Sequence, residues 1–216
     1  MSQPWDYIAK LVCIGDSGTG KSSIGVEFGS RIVSVGPSPP QKHMKLSLWD
    51  TAGQETYKSV TRSYFRGASG ALLVFDITRR ETFTHATDWL HDLRQIAEDG
   101  IVVVLVGNKS DLAATTMTTT ASESETDTKR AISAEEAEAW CRQNGIMAYV
   151  ETSAKSGEGV EKAFLEVANR IYENIEKGRY DLNDRRSGVK SAGAGNTSRT
   201  INLGMNGAGA GQGGCC

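Results

Sequence analysis

The sequence predicts an α/β fold, a mostly parallel sheet with helices on both faces, and three observations carry that prediction. Short apolar runs of strand type alternate with segments of helical periodicity along most of the chain. A glycine-rich loop, Gly15-Asp16-Ser17-Gly18-Thr19-Gly20-Lys21-Ser22, follows directly on the first apolar run, in the pattern of a phosphate-binding P-loop. Polar turns at Gly15–Ser22, Asp50–Gln54, Asn108–Asp111 and Ser153–Lys155 each stand just behind a strand-like run. In an open parallel sheet that places them on one edge, where ligands bind.

Leu11-Val12-Cys13-Ile14 is short and apolar and reads as a buried strand. After the loop, Ile24-Gly25-Val26-Glu27-Phe28 is β-branched and aromatic, so residues 24–35 are expected to form a strand and the usual helix after the P-loop to be lacking. Gly36 to Gln41 is a proline-rich turn, and Met44, Leu46 and Leu48 alternate with polar neighbours as the second arm of a hairpin. Ala71 to Ile77 is a buried strand. Thr78 and Glu81 then match a capping box, opening a helix that buries Phe83, Ala86, Leu90, Leu93 and Ala97. Ile101 to Val106 is the next buried strand. The tract 113–129 is polar and aperiodic and reads as a loop insert. Ser133 and Glu136 cap a helix through Cys141, Ala148-Tyr149-Val150 is a short last strand, and Val160, Phe164, Val167, Ile171 and Ile175 mark a final helix. From Ser187 the composition is Gly, Ala, Ser and Asn, too poor in apolar residues for a core.

The domain organisation expected is one nucleotide-binding domain over 1–178, with the insert at 113–130, and a flexible tail over 179–216. A hydrophobic share of 38% supplies a core, and a net charge of −2 argues against a broad nucleic-acid surface. No run has the length of a transmembrane helix, and the first residues fit neither a signal peptide nor a myristoylation site. The four cysteines form neither a disulfide framework nor a zinc cluster, which points to a reducing compartment.

The chemistry of the four turns is consistent. Gly15, Gly18 and Gly20 let the loop curl so that its N–H groups meet phosphate oxygens, with Asp16, Ser17 and Thr19 completing it. Lys21 brings positive charge to the β- and γ-phosphates, and the Ser22 hydroxyl is a Mg²⁺ ligand. Asp50 stands where a Walker-B carboxylate holds Mg²⁺, the Gly53 N–H approaches the γ-phosphate, and Gln54 is the candidate catalytic residue, orienting a water. Asp111 selects guanine by accepting from its N1–H and exocyclic amine, donors adenine lacks as a pair. Asn108 and Lys109 brace that pocket, the Ala154 N–H meets the guanine oxygen, and Ser153 and Lys155 frame the ring. A P-loop kinase for a small metabolite would leave Asn108–Asp111 without a task.

These residues resemble the Ras superfamily and, within it, the Rab family. Trp49-Asp50-Thr51-Ala52-Gly53-Gln54-Glu55, Ser63-Tyr64-Phe65-Arg66-Gly67, Ile24 to Phe28 and the final Cys215-Cys216 carry the likeness. Phe28, Trp49 and Tyr64 match the aromatic triad through which Rabs display their nucleotide state. Ile24–Gly29, Asp76 to Phe83 and Tyr180-Asp181-Leu182-Asn183 are most similar to the branch acting between endoplasmic reticulum and Golgi. The resemblance implies a GTP/GDP switch with Mg²⁺ that hydrolyses GTP and serves vesicle traffic. It also implies exchange factors, GTPase-activating proteins, an escort protein, a GDP-dissociation inhibitor and effectors as partners. The chain would sit on the cytoplasmic face of endomembranes, with a cytosolic pool. Cys215 and Cys216 would take two geranylgeranyl groups, the number stable anchoring needs.

The sequence departs from the family at one place. Rabs carry a long helix and switch I between the P-loop serine and the strand; here only Ser23 lies between Ser22 and Ile24. Roughly seventeen residues are absent, enough for a crossover helix and loop. The switch I threonine that ligates Mg²⁺ goes with them, and Ser23 stands in its place as a nucleotide-binding candidate. Lys21 to Ile24 spans at most about 11 Å, against about 9.5 Å between strands two positions apart. The link can just close but no helical turn fits, so either the second strand starts late, near Phe28, or the P-loop is pulled out of shape. Uncovering about 400 Å² of one sheet face would cost on the order of 10 kcal/mol. The expected consequence is GTP hydrolysis far slower than in an intact Rab. The alternative is a lipidated, non-switching binding protein with impaired nucleotide binding.

Overall fold

The computed structural model describes residues 4–26, 29–37, 41–50, 63–113, 130–182, 184 and 187–191. The expectations for Gly53, Gln54, Phe28, Cys215, Cys216 and most of the 113–130 insert fall outside these residues. The elements are β1 (Tyr7–Ile14), α1 (Lys21–Val26), β2 (Ser30–Val35), β3 (Lys42–Asp50), β4 (Gly70–Asp76), α2 (Arg80–Ile96), β5 (Val102–Asn108), α3 (Ala134–Gln143), β6 (Ala148–Thr152), α4 (Val160–Glu176) and β7 (Val189–Ser191). The sheet runs β2-β3-β1-β4-β5-β6, with β7 beside the first half of β1. All neighbours from β3 to β6 pair in parallel; β2 and β7 are antiparallel. The predicted α/β class and mostly parallel sheet are present, and no helix among the described residues is long and apolar enough to cross a membrane.

Strand alternation builds two cores. Ala9, Leu11 and Cys13 of β1 face α4, with its Phe164, Val167 and Ile171, while Val12 and Ile14 face the cluster holding Leu90 and Leu93 of α2 and Cys141 of α3. Because both faces are covered, every residue of β4 is buried, and its run reads apolar throughout.

The region after the P-loop corrects the strand expected over 24–35. A helix does follow the loop, six residues long, opened by the Ile24 N–H donating to Gly20 O at 3.1 Å. Ile24 and Val26 are tolerated because β-branching costs a helix only a few tenths of a kcal/mol per residue. The strand starts late, at Ser30, and this frees the length the turn needs.

The hairpin then closes the face left by the short helix. Val33 and Val35 of β2 are buried in the same cluster as Phe164 and Ile171 of α4. Arg31 reaches Glu161 at 3.2 Å, and Gly36 lies so close to Tyr172 that a Cβ there would stand 2.7 Å from its ring.

Two further expectations change. The Thr78 hydroxyl donates to Asp76 Oδ1 at 2.7 Å instead of capping α2, whose N-cap, Arg79, makes no side-chain cap bond. The tail expected from 179 is part of the fold over 187–191: Val189 is fully buried and β7 pairs with Tyr7–Ala9. A backbone ladder needs no apolar pattern, so a Gly/Ser-rich composition does not exclude it. The Ser133 cap is present as read, its hydroxyl accepting from the Glu136 N–H at 3.2 Å.

Candidate functional site

Parallel strands β1, β3, β4, β5 and β6 all deliver their last residues to one edge, and the described polar turns, 15–22, 108–111 and 153–155, stand there. The first is the glycine loop behind β1. Gly15, Gly18 and Gly20 have φ of 137°, 77° and 85°, the left-handed region that glycine enters freely. At two positions space forbids anything else: a Cβ on Gly15 would lie 2.1 Å from Val74 O, and one on Gly20 2.3 Å from Asn108 Nδ2. The Thr19 hydroxyl donates to Asp16 O at 2.9 Å and closes the turn.

Asn108 joins the two ends of the rim. Its Nδ2 donates to Thr19 O at 2.7 Å, and its Oδ1 accepts from the Thr152 hydroxyl at 3.1 Å and the Ala154 N–H at 3.0 Å. One side chain, 1% exposed, thus ties the P-loop to the turn after β6. The Ala154 N–H, expected at a ring oxygen, is given to Asn108 here. Ser153 donates its hydroxyl to Asp111 Oδ1 at 2.7 Å and so fixes the carboxylate expected to select the base. Lys109 adopts a left-handed φ of 70°, which sends its ammonium to Asp76 Oδ2 at 2.7 Å. Asp76 is fully buried. Burial pushes its carboxyl up, but Lys109 and Thr78 outweigh this and hold it below its ordinary value. Lys155 is exposed.

On the phosphate side, Lys21 is 5% exposed, and among the described residues its ammonium has no hydrogen-bond or ion-pair partner. A nearly buried ammonium beside a loop of curled amides is complementary to a bound anion. Ser22 and Ser23 are exposed on the first turn of α1. They point about 100° apart, so they do not serve one metal as a pair. Asp50 ends β3 opposite Cys13, and the Cβ position on Gly25, one turn beyond Ser22, is 3.6 Å from the Asp50 Cβ. α1 therefore packs against the end of β3 that carries Asp50, and the hydroxyl and carboxylate expected at Mg²⁺ are donor types that suit it. Beneath the loop, burial and the Asp50 charge push the Cys13 thiol up to about 12, so it stays a neutral packing group.

Sequence reading missed how Asp16 is held. Trp89 Nε1 donates to its Oδ1 and His85 Nδ1 stands at its Oδ2, each at 2.7 Å. The available signal was the spacing of His85 and Trp89, four apart on the face of α2 that turns to the sheet. Of the expected aromatic triad, Trp49 and Tyr64 stand together with ring centres 5.7 Å apart, and Trp49 is 46% exposed. The Lys10 ammonium lies over the Trp49 ring at 5.0 Å.

Compared with known protein families, residues 23–173 match the model of the Ras family. The match begins at Ser23, immediately behind the glycine loop, and runs into α4.

Proposed function

Because the chain belongs to the Ras family, we propose that it is a Rab-type switch that binds GTP and GDP and hydrolyses the former slowly. The single observation that supports this reading is the Asn108 bridge, which ties the glycine loop to the turn after β6, whose Ser153 holds Asp111. In this reading Gly15, Asp16, Ser17, Gly18, Thr19, Gly20 and Lys21 cradle the phosphates. Asn108, Lys109, Asp111, Ser153, Ala154 and Lys155 form the base pocket. Ser22 and Asp50 hold Mg²⁺, which when bound supplies charge neutralisation at the β- and γ-phosphates. Gly53 and Gln54 act at the γ-phosphate, Gln54 by orienting water.

The finer assignments rest on sequence resemblance. Traffic between endoplasmic reticulum and Golgi, the regulators and effectors of a Rab, and anchoring through geranylgeranyl groups on Cys215 and Cys216 are proposals of that kind. A second reading, a binding protein that does not switch, is favoured by the six-residue length of α1 and by the single serine between Ser22 and Ile24.

The test is to purify the full chain, identify the retained nucleotide, and follow GTP turnover with Mg²⁺. Guanine nucleotide preferred over adenine, with turnover well below that of an intact Rab, supports the switch reading. Guanine binding with no turnover supports the second reading. Absence of a guanine preference overturns both.

A further inference from the structure

Asp16 poses an electrostatic problem inside a phosphate-binding loop. A carboxylate free to turn toward bound phosphates would repel them. In the structure both of its oxygens are engaged on the other side, by α2. Trp89 Nε1 donates to Oδ1 at 2.7 Å, and His85 Nδ1 lies 2.7 Å from Oδ2. A carboxylate only accepts, so His85 carries its proton on Nδ1. The two donors come from successive turns of one helix. Trp89 is 6% exposed and packed with the sheet, so the support is rigid, whereas the His85 side chain is 41% exposed.

We propose that His85 and Trp89 are positioning residues for nucleotide binding: they hold the Asp16 carboxylate against α2, keep its charge off the bound phosphates and fix the first turn of the loop. This rests on the guanine-nucleotide reading and deepens it. With α1 only six residues long, α2 supplies from the side a buttress to the loop. The N-cap of the same helix brings Arg79, whose guanidinium nitrogen is 3.5 Å from where a Cβ on Gly18 would stand. The charged groups facing His85 are Asp16 from the loop and Glu81 and Asp88 from its own helix. The Asp16 bond, ahead of the others, raises the imidazole above its ordinary value. Protonated His85 cancels the Asp16 charge beside the phosphates; neutral His85 keeps the hydrogen bond but not the cancellation.

The experiment uses the full-length chain with Mg²⁺ and a fluorescent GDP. Affinity is measured from pH 5.5 to 8.5 for wild type, His85→Ala, His85→Gln and Trp89→Phe, with urea unfolding of each without nucleotide. His85→Ala and Trp89→Phe are expected to weaken GDP binding about tenfold at neutral pH. His85→Gln, which keeps a donor, is expected to recover most of that loss. Wild type should gain affinity over His85→Gln as pH falls through the imidazole titration.

GDP affinity unchanged in His85→Ala across the pH range overturns the proposal and leaves the nucleotide reading intact. A loss that glutamine does not restore and that follows the unfolding midpoint assigns His85 a merely structural role, and also overturns it. Wild type that does not prefer GDP over ADP removes the functional reading and this inference with it.

Discussion

On the base side of the rim, the turns after β5 and β6 stand beside α3 and α4, helices of 10 and 17 residues; on the phosphate side, the glycine loop runs into α1, of six. The base-side turns are fixed to each other and to the end of β4, Ser153 on Asp111 and Lys109 on Asp76. The phosphate loop is fixed largely by partners distant in sequence, Asn108 from β5 and His85 and Trp89 from α2. The difference teaches that a loop of standard sequence can keep its shape with little helix behind it, provided neighbours supply the contacts.

The largest effect expected to test this contrast is on the base side. Lys109→Met leaves Asp76 fully buried without its counter-ion and should cost about 4 kcal/mol, read from urea unfolding. The sign of the pH dependence should also reverse. In wild type the Asp76 carboxyl is held low, so its contribution is present above the unfolded value near 3.9 and is lost as pH falls through the folded one. Without Lys109, burial raises it, so the contribution holds at low pH and is lost as pH rises. The variant's deficit should therefore be smaller at pH 5 than at pH 7.

Cutting the bridge itself comes next. Asn108→Ala strands Thr19 O, the Ala154 N–H and the Thr152 hydroxyl, and should cost about 3 kcal/mol. Hydrogen exchange should speed up in the P-loop as well as after β6. Exchange confined to the base side would show that the loop stands by itself, and the contrast drawn above would be lost.

Val189→Ala, in the strand beside β1, should cost about 2 kcal/mol, with exchange rising at Tyr7–Ala9. The smallest effect belongs to Arg31→Ala, where β2 meets α4. That ion pair is exposed on both sides, 47% and 62%, and its loss should change stability by less than about 0.5 kcal/mol. A larger value would mean that charge, not the burial of Val33 and Val35, seats the hairpin on α4.

Much of this arrangement was legible in the chain. The runs at 71–77 and 101–106 could only be buried strands, and the spacings from Phe83 and from Val160 could only be helix faces. Ser133 announced its cap. The turn motifs gave the rim because a parallel sheet leaves them one edge to share. What could not be read was set by tertiary context. Ile24 to Phe28 looks like strand because β-branched residues favour it, yet the turn at Gly20 leads into a helix through Val26. Thr78 has the residue type of a cap, but Asp76 competes for its hydroxyl and wins. β7 carries one apolar residue that matters, Val189, too little for any periodicity. The hold of His85 and Trp89 on Asp16 spans dozens of positions, and their four-residue spacing does not name its partner.

The seating of Val189–Ser191 beside Tyr7–Ala9 has a consequence for how the chain folds. The segment that completes the pairing of this central strand follows it only after every other strand and helix described. Until it docks, backbone groups at the start of β1 have no ladder on that side, and closing so long a loop is intrinsically slow. A folding intermediate would therefore carry an open strand edge that other chains could pair with.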